Sequence, residues 1–429
     1  MNRARLALTA GISTALVFLS LLGISVAKWG KDYRKQTYSI RLVWKTSGEE
    51  KLFSGEEGFP PQKIKEELER NDAPEEDKEW LLNALRIIPV RKERVLYTND
   101  GKAIDLPKDD LLRWVIVTSK NNKYLMLCPR RWDWEGRLAL SGRARNNPQA
   151  KRDWEKYQRQ EKESAFILMD YGGNEVWRRI AMPRGIYVSD DAKTVVATHI
   201  GMLTRSVSFH DFYDDKGEKV GVSRFPYFTD GPADLSADGR RFVVVGMYTE
   251  GRYIGLAGYN RRGKELWERR VKGSHRGNVC VSNDGSLTSV PVRERSYLLD
   301  RKGNVIGQLD IPKVAYQAFS TDADYLLLLS RKGLHFATTR PLEILWSYRP
   351  DHDVRYLGAA AILSNKELVA GTVITSSPPH KLDVCIFGNG RILDTILTLE
   401  GKKATLLSSP NGRFLVVSSG TLLAAYDIR

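Results

Sequence analysis

Cysteine is scarce in this chain of 429 residues: Cys128, Cys280 and Cys385 lie far apart, with no CxxC pair and no neighbouring histidine pair. That spacing argues against a disulfide framework and against a clustered thiolate zinc site. The six histidines (His199, His210, His275, His335, His352, His380) show no repeated metal spacing. The sequence also lacks a G-x-S-x-G elbow, H-E-x-x-H, a Walker loop and G-x-G-x-x-G, so the linear signatures of several large enzyme classes are missing. No Asn-x-Ser/Thr sequon occurs, and no cysteine sits in the N-terminal apolar run to accept a lipid. Low complexity is absent too: 42% hydrophobic, 10% aromatic and 28% charged residues, with 35 Gly and 17 Pro, describe a globular chain rather than a disordered or collagen-like one.

The longest uncharged run is Leu6 to Ala27, 22 residues between Arg5 and Lys28. At about 1.5 Å per residue it is long enough to cross a hydrocarbon core of roughly 30 Å. Residues 1–36 are therefore expected to be a single-pass membrane anchor with a basic flank. The same stretch also fits a secretory signal, with Arg3 and Arg5 as its charged start and Ser25-Val-Ala27 as a cleavage site. Basic residues on the two sides nearly balance, so charge does not set the orientation. The expectation is an extracytoplasmic body, anchored, or secreted if cleavage follows Ala27.

Two short patterns alternate along most of the chain at a period of about 45 residues. The first reads Ser-x-Asp-Gly or a variant, at Ser119, Ser189, Ser236, Ser282, Ser320, a degenerate Ser364 and Ser409, each ahead of an apolar run. Asp-Gly or Asn-Gly between apolar segments predicts a tight hairpin in which both central residues have positive φ. The second is an Asp/Asn-x-x-Gly turn ending on Gly101, Gly173, Gly217, Gly263, Gly303 and Gly390, with Trp177 and Trp267 four places after their glycines; a glycine-free variant ends in Trp346. With Leu342 standing for the missing glycine, successive turns are 72, 44, 46, 40, 39 and 48 residues apart. Four short strands per period make a propeller blade. The prediction is all-β, a seven-bladed β-propeller over residues 92–429, with six or eight blades as alternatives and Lys102–Leu106 closing the last blade.

SADG, SNDG and SPNG resemble the WD40-like repeats of the periplasmic TolB family, while DYGGNEVW and YNRRGKELW resemble the PQQ-like (quinoprotein) repeat also found in BamB-like envelope proteins. The resemblance implies the propeller and suggests two kinds of function. One is a protein-binding scaffold. The other is a PQQ-dependent oxidoreductase holding its quinone with calcium in the channel, but the chain lacks the adjacent Cys-Cys pair of the alcohol dehydrogenase branch and is shorter than those enzymes. Trp177, Trp267 and Trp346 then read as blade-to-blade packing rather than cofactor contacts.

Two regions fall outside the repeat. Residues 37–91 hold a strand-like Tyr38–Trp44 and an acidic stretch, 48–79, with 12 acidic and 5 basic residues, a net of −7, so the remainder carries about +22 of the total +15. Pro61–Arg70 and Pro74–Arg86 read as short helices, either a docking arm or a cap on the propeller. The second region is an insertion at about 130–163. Asn147-Pro148 starts a helix there, and Trp154 and Tyr157 follow Ala150 on one face. Trp132, Trp134, Trp154 and Tyr157 are the candidate partner-binding residues.

The basic excess is dispersed over the repeats without a zinc finger or RNP-like reader, so nucleic acid is not the expected partner; lipid headgroups or acidic envelope polymers suit the charge as well. The sequence therefore predicts a membrane-anchored, non-catalytic scaffold with a protein partner and with no cofactor or metal.

Overall fold

The Ser-x-Asp hairpin is the unit from which the fold is built, and its bonds explain its consensus. In the computed structural model, Ser236 O accepts the Gly239 N–H at 3.0 Å, and Ser236 Oγ donates to Asp238 Oδ1 at 2.6 Å while accepting the Arg241 N–H at 3.0 Å. Asp238 Oδ1 also takes the Arg240 N–H at 2.9 Å. The same pattern recurs at Ser119, Ser189, Ser282, Ser320 and Ser409, whose side chains are all buried. The buried serine is thus satisfied by its more exposed aspartate or asparagine partner and by the turn's backbone, which is why its hydroxyl tolerates burial. Only the fourth residue is left-handed: Gly239, Gly285 and Gly412, or Asn122, Ala192 and Ala323 in the variants. The expected pair of positive-φ residues is therefore corrected for these copies, because the serine side chain closes the loop in its place. Among the described residues that pair occurs at Asn389-Gly390 (φ 47° and 74°), in a two-residue loop where Gly388 pairs with Arg391.

The structure describes residues 40–47, 61–70, 74–85, 87–90, 93–97, 103–104, 112–131, 147–152, 155, 165–170, 172–181, 183–200, 207–226, 232–247, 253–274, 277–330, 333–350, 354–363, 368–375, 381–400, 404–419 and 422–429. Seven four-stranded sheets follow one another. Blade 1 is Leu112–Thr118, Leu125–Arg131, Ala165–Met169 and Glu175–Ile180; blade 2 is Gly185–Val188, Val195–Ile200, Ser208–Tyr213 and Lys219–Phe225. Blade 3 is Ala233–Leu235, Phe242–Met247, Tyr253–Tyr259 and Glu265–Lys272; blade 4 is Cys280–Val281, Thr288–Pro291, Ser296–Leu299 and Val305–Leu309. Blade 5 is Val314–Phe319, Tyr325–Ser330, Gly333–Thr339 and Leu342–Tyr348; blade 6 is Val354–Ile362, Val369–Thr375, Lys381–Gly388 and Arg391–Glu400. Blade 7 takes Thr405–Ser408, Phe414–Ser419 and Leu422–Ile428, and its outermost strand is Ile40–Ser47. First strands of successive blades adjoin, so they are innermost and line the channel. The chain is a seven-bladed β-propeller.

Closure differs from the sequence expectation. The eight-residue Ile40–Ser47 seals blade 7, whereas Ala103–Ile104 joins Ile87–Val90 and Glu93–Tyr97 in a separate three-stranded sheet. A two-residue strand offers too few ladder bonds to cover the Leu422–Ile428 edge; the longer one covers it and leaves no open edge there. The repeat count was readable, but the closing strand carries no repeat motif.

Helices α1 (Pro61–Arg70) and α2 (Glu75–Leu85) pack on blade 7 as a cap: Ile64, Leu68, Trp80, Leu81 and Leu85 share a core with Phe414, Val416, Leu423 and Ala425. Asn411 of blade 7 donates to Asp77, and Lys123 of blade 1 lies 3.3 Å from Glu79. Helix α2 therefore bridges the seam between the last blade and the first. Elsewhere the blades meet through aromatic cores, such as Phe212 and Phe225 against Phe242 and Tyr259. The turn glycines serve this packing: a Cβ on Gly217 would fall 2.7 Å from the Trp177 ring, and one on Gly303 would fall 2.5 Å from Trp267. Each tryptophan of one blade thus covers the turn of the next, the packing role read from the sequence. Trp346 stacks on Phe336 at 5.3 Å in the core of blades 5 and 6.

Among the described residues no helix is long and apolar enough to cross a membrane; Leu6–Ala27, on which the anchor expectation rests, lies outside them, as does Ser364.

Candidate functional sites on the two faces of the ring

Antiparallel blades give the ring two unlike faces. On one, first and second strands join through the described Ser-x-Asp hairpins, and in blades 1 to 6 third and fourth strands join through tight turns, glycine-free in blade 5. On the other lie the second-to-third connections and the crossovers between blades. These include the long links 131–165, 200–208 and 375–381.

At the mouth of the channel on the tight face, the variable residue of the repeat does the linking. Asn121 N–H donates to Asp190 Oδ1 at 2.9 Å, Asp190 N–H to Ala237 O at 2.8 Å, and Asp238 N–H to Asn283 O at 3.3 Å. The Thr321 hydroxyl donates to Pro410 O. Ser and Asp close each hairpin; the residue between them faces its neighbours. In blade 1 that residue is Lys120, which spans to blades 3 and 4, with Nζ 3.3 Å from Asp234 Oδ2 and 2.8 Å from Val281 O. Asp234 Oδ2 also accepts the Val281 N–H at 2.7 Å.

The surrounding protein would by itself depress the Lys120 ammonium, which is still about a third exposed at its side chain (32%), but Asp234, with Cys280 and Asp190 behind it, more than offsets this and holds its pKa above the ordinary lysine value. The Cys280 thiol is pushed up to about 12, by burial first and then by Asp234. Burial also raises Tyr187 and Tyr316 to about 12. Chemically this is a locked ion pair beside a protonated thiol, an arrangement suited to holding blades together rather than to nucleophilic attack.

The quinone–calcium expectation can be tested against these residues. Calcium takes six to eight oxygen ligands. The mouth offers Asp234, with Oδ2 already shared by Lys120 and Val281, and Asp190, with Oδ1 taken by Asn121. A cationic ammonium stands where the metal would need further oxygens, so this set does not fit the pair. Among the described residues no three His, Cys, Asp or Glu side chains converge in a way that could hold a metal ion.

The described histidines are occupied in packing or bonds, within a blade for His199 and His335 and between blades 2 and 3 for His210. His335 is buried, with Nδ1 2.9 Å from Ser347 Oγ, and its pKa is lowered to about 4 by burial and by Arg349. His199 Nε2 lies 3.4 Å from Asp211, which Lys219 approaches at 2.8 Å. His210 is fully buried against Phe242 and Tyr259, with neither ring nitrogen hydrogen bonded.

On the opposite face, the insertion leaves blade 1 between Arg131 and Ala165. Its helix starts where the sequence placed it: Asn147 Oδ1 accepts the N–H groups of Gln149 (2.9 Å) and Ala150 (3.2 Å), residues 148–152 and 155 are helical, and Ala150 is buried. Trp132, Trp134, Trp154 and Tyr157 lie outside the described residues. Sequence reasoning missed the Lys120–Asp234 span, although the changing residue between Ser and Asp was its signal.

The chain is similar to several solved β-propellers. BamB from Moraxella catarrhalis is 15% identical over 80% of this chain and 94% of its own, at a TM-score of 0.48. The C-terminal WD40 domain of Sif2 is 12% identical over 76% and 85% (TM-score 0.49), and the Dos1 propeller 11% over 78% and 82% (0.49). The fold is established by the strand pairing above rather than by these likenesses. No protein-family model matches the chain, and no curated protein matches its sequence.

Proposed function

We propose that this propeller is a non-catalytic scaffold that captures a protein partner on its looped face. It is held at a membrane by Leu6–Ala27 with the propeller on the extracytoplasmic side. The observation that carries the reading is the asymmetry of the ring. One face is closed by short, fully bonded hairpins, while the other bears the 33-residue insertion 132–164 in a single connection. Insertions that leave a rigid ring without a structural task are where binding surfaces are built. Trp132, Trp134, Trp154 and Tyr157 supply the aromatic area that dominates such contacts.

The test is affinity purification of the full chain from its native membrane fraction, with intact mass and absorbance read on the product. The scaffold retains residues 1–27, brings protein with it in a fixed ratio and shows no absorbance beyond the protein band. A product with bound quinone that reduces dye on addition of alcohols or sugars would make it an oxidoreductase.

A further inference from the structure

We propose that the tight face carries an oxyanion site, formed by Arg241, Arg301 and Arg340 around the Ser282–Leu287 hairpin of blade 4, which takes a carboxylate or phosphate group on an acidic segment of the partner. This rests on the reading of the chain as a protein-capturing scaffold and adds a second contact on the opposite face.

The three arginines come from three consecutive blades. Arg241 closes the blade 3 hairpin, Arg301 lies in the last turn of blade 4, and Arg340 lies in that of blade 5. The Arg241 stem crosses Gly285 so closely that a Cβ there would fall 2.6 Å from its Cγ. Arg340 Nη2 donates to Ser286 Oγ, on the adjacent residue of the same hairpin, at 3.3 Å. Arg241 Nε is shut off from solvent and has no hydrogen-bond partner. Burial, then repulsion by Arg301, lowers the Arg241 pKa, with Asp238 only partly opposing.

A guanidinium partly withdrawn from water, with its Nε unpaired and a like charge beside it, is a cost to the fold, and such costs concentrate where a ligand relieves them. The nearby carboxylates are committed to their own turns. Asp284 Oδ1 accepts Ser282 Oγ (2.7 Å) and the Ser286 N–H (3.0 Å). Asp238 serves its hairpin and lies 3.7 Å from Arg240, and Asp300 accepts the N–H groups of Lys302 and Asn304. Among the described residues no carboxylate forms an ion pair with Arg241, Arg301 or Arg340. Arg241 and Arg340 meet at one hairpin and Arg301 stands close enough to repel Arg241, a compact cluster that matches one oxyanion rather than a track of phosphates.

The experiment is fluorescence anisotropy with the full chain and labelled Gly-Ser peptides carrying six glutamates, six glutamines or phosphoserines, alongside oligothymidine. The glutamate or phosphoserine peptide binds in a salt-dependent way, and the better of the two identifies the source of the oxyanion. The glutamine peptide does not bind. Arg301→Ala with Arg340→Ala weakens binding by at least about tenfold, as loss of charge-assisted pairs requires. Arg301→Ala leaves the melting temperature unchanged or raised, since it relieves Arg241. Failure of both acidic peptides to bind, equal binding by the double variant, or tighter binding of oligothymidine overturns the site. If native partner is captured equally by wild type and double variant, the site falls while the scaffold reading stands; if neither captures any, the scaffold reading falls.

Discussion

His210 makes the stability of the ring sensitive to mild acid. Its ring sits at the contact of blades 2 and 3, wholly buried, its centroid 5.2 Å from that of Phe242 and 6.0 Å from that of Tyr259. Burial, with His199 nearby and Asp211 only weakly opposing, lowers its pKa from 6.5 to about 3. The folded chain therefore holds this imidazole neutral while the unfolded chain protonates it below pH 6.5, so stability is full above that pH and falls as pH drops toward 3. Integrating the difference gives about 2 kcal/mol lost by pH 5 and roughly 4 kcal/mol by pH 3. The perturbation is His210→Leu, which removes the titrating group at similar volume. Urea unfolding of both proteins at pH 7.5 and 5.0 separates the effect, because other groups cancel in the comparison. The wild type should lose about 2 kcal/mol more than the variant between those conditions. Equal losses would refute the neutral burial of His210.

Three further outcomes follow from the turns and the seam. Gly303→Ala adds a Cβ 2.5 Å from Trp267 at a φ of 76°, and should cost about 1–3 kcal/mol in denaturant unfolding, with no loss meaning that the tryptophan does not rest on the turn. Ala192→Gly removes the strain of a left-handed alanine (φ 55°) and should stabilise the chain by about 1 kcal/mol; a destabilised variant would contradict the turn geometry. Deleting residues 1–47 removes the closing strand of blade 7 and should expose the Leu422–Ile428 edge, seen as a lower melting temperature and concentration-dependent aggregation in light scattering. An unaffected melting curve would mean that Ile40–Ser47 does not seal the ring.

The blades were legible because each repeat states its own bonds. Ser236, Asp238 and Gly239 are required by a single hairpin, and Trp267 recurs because the next blade's glycine must lie under it. What the sequence hid depends on distant residues. Ile40–Ser47 closes the ring without any repeat signature, since an outer strand needs only length and alternation. Each described Ser-x-Asp hairpin has one left-handed residue where the Asp-Gly pattern predicts a pair, because the serine hydroxyl, not a second positive φ, completes the loop. The same holds at the channel mouth: Lys120 looks like a degenerate repeat position until the ring brings Asp234, more than a hundred residues away, within 3.3 Å. The basic residues look dispersed along the chain, because Arg241 and Arg340 reach one hairpin of blade 4 only in three dimensions. The helical segment was legible as an alternative, and its contacts with Phe414 and Leu423 decide for the cap.

The most direct test of the scaffold compares partner capture by the wild-type chain with that by a variant carrying Ala at Trp132, Trp134, Trp154 and Tyr157, both purified from the native membrane fraction, with thermal unfolding measured in parallel. The account predicts that the variant loses the partner while its melting temperature stays within a few degrees, about the shift of a 1 kcal/mol change in a large domain. Capture undiminished in a folded variant would contradict it.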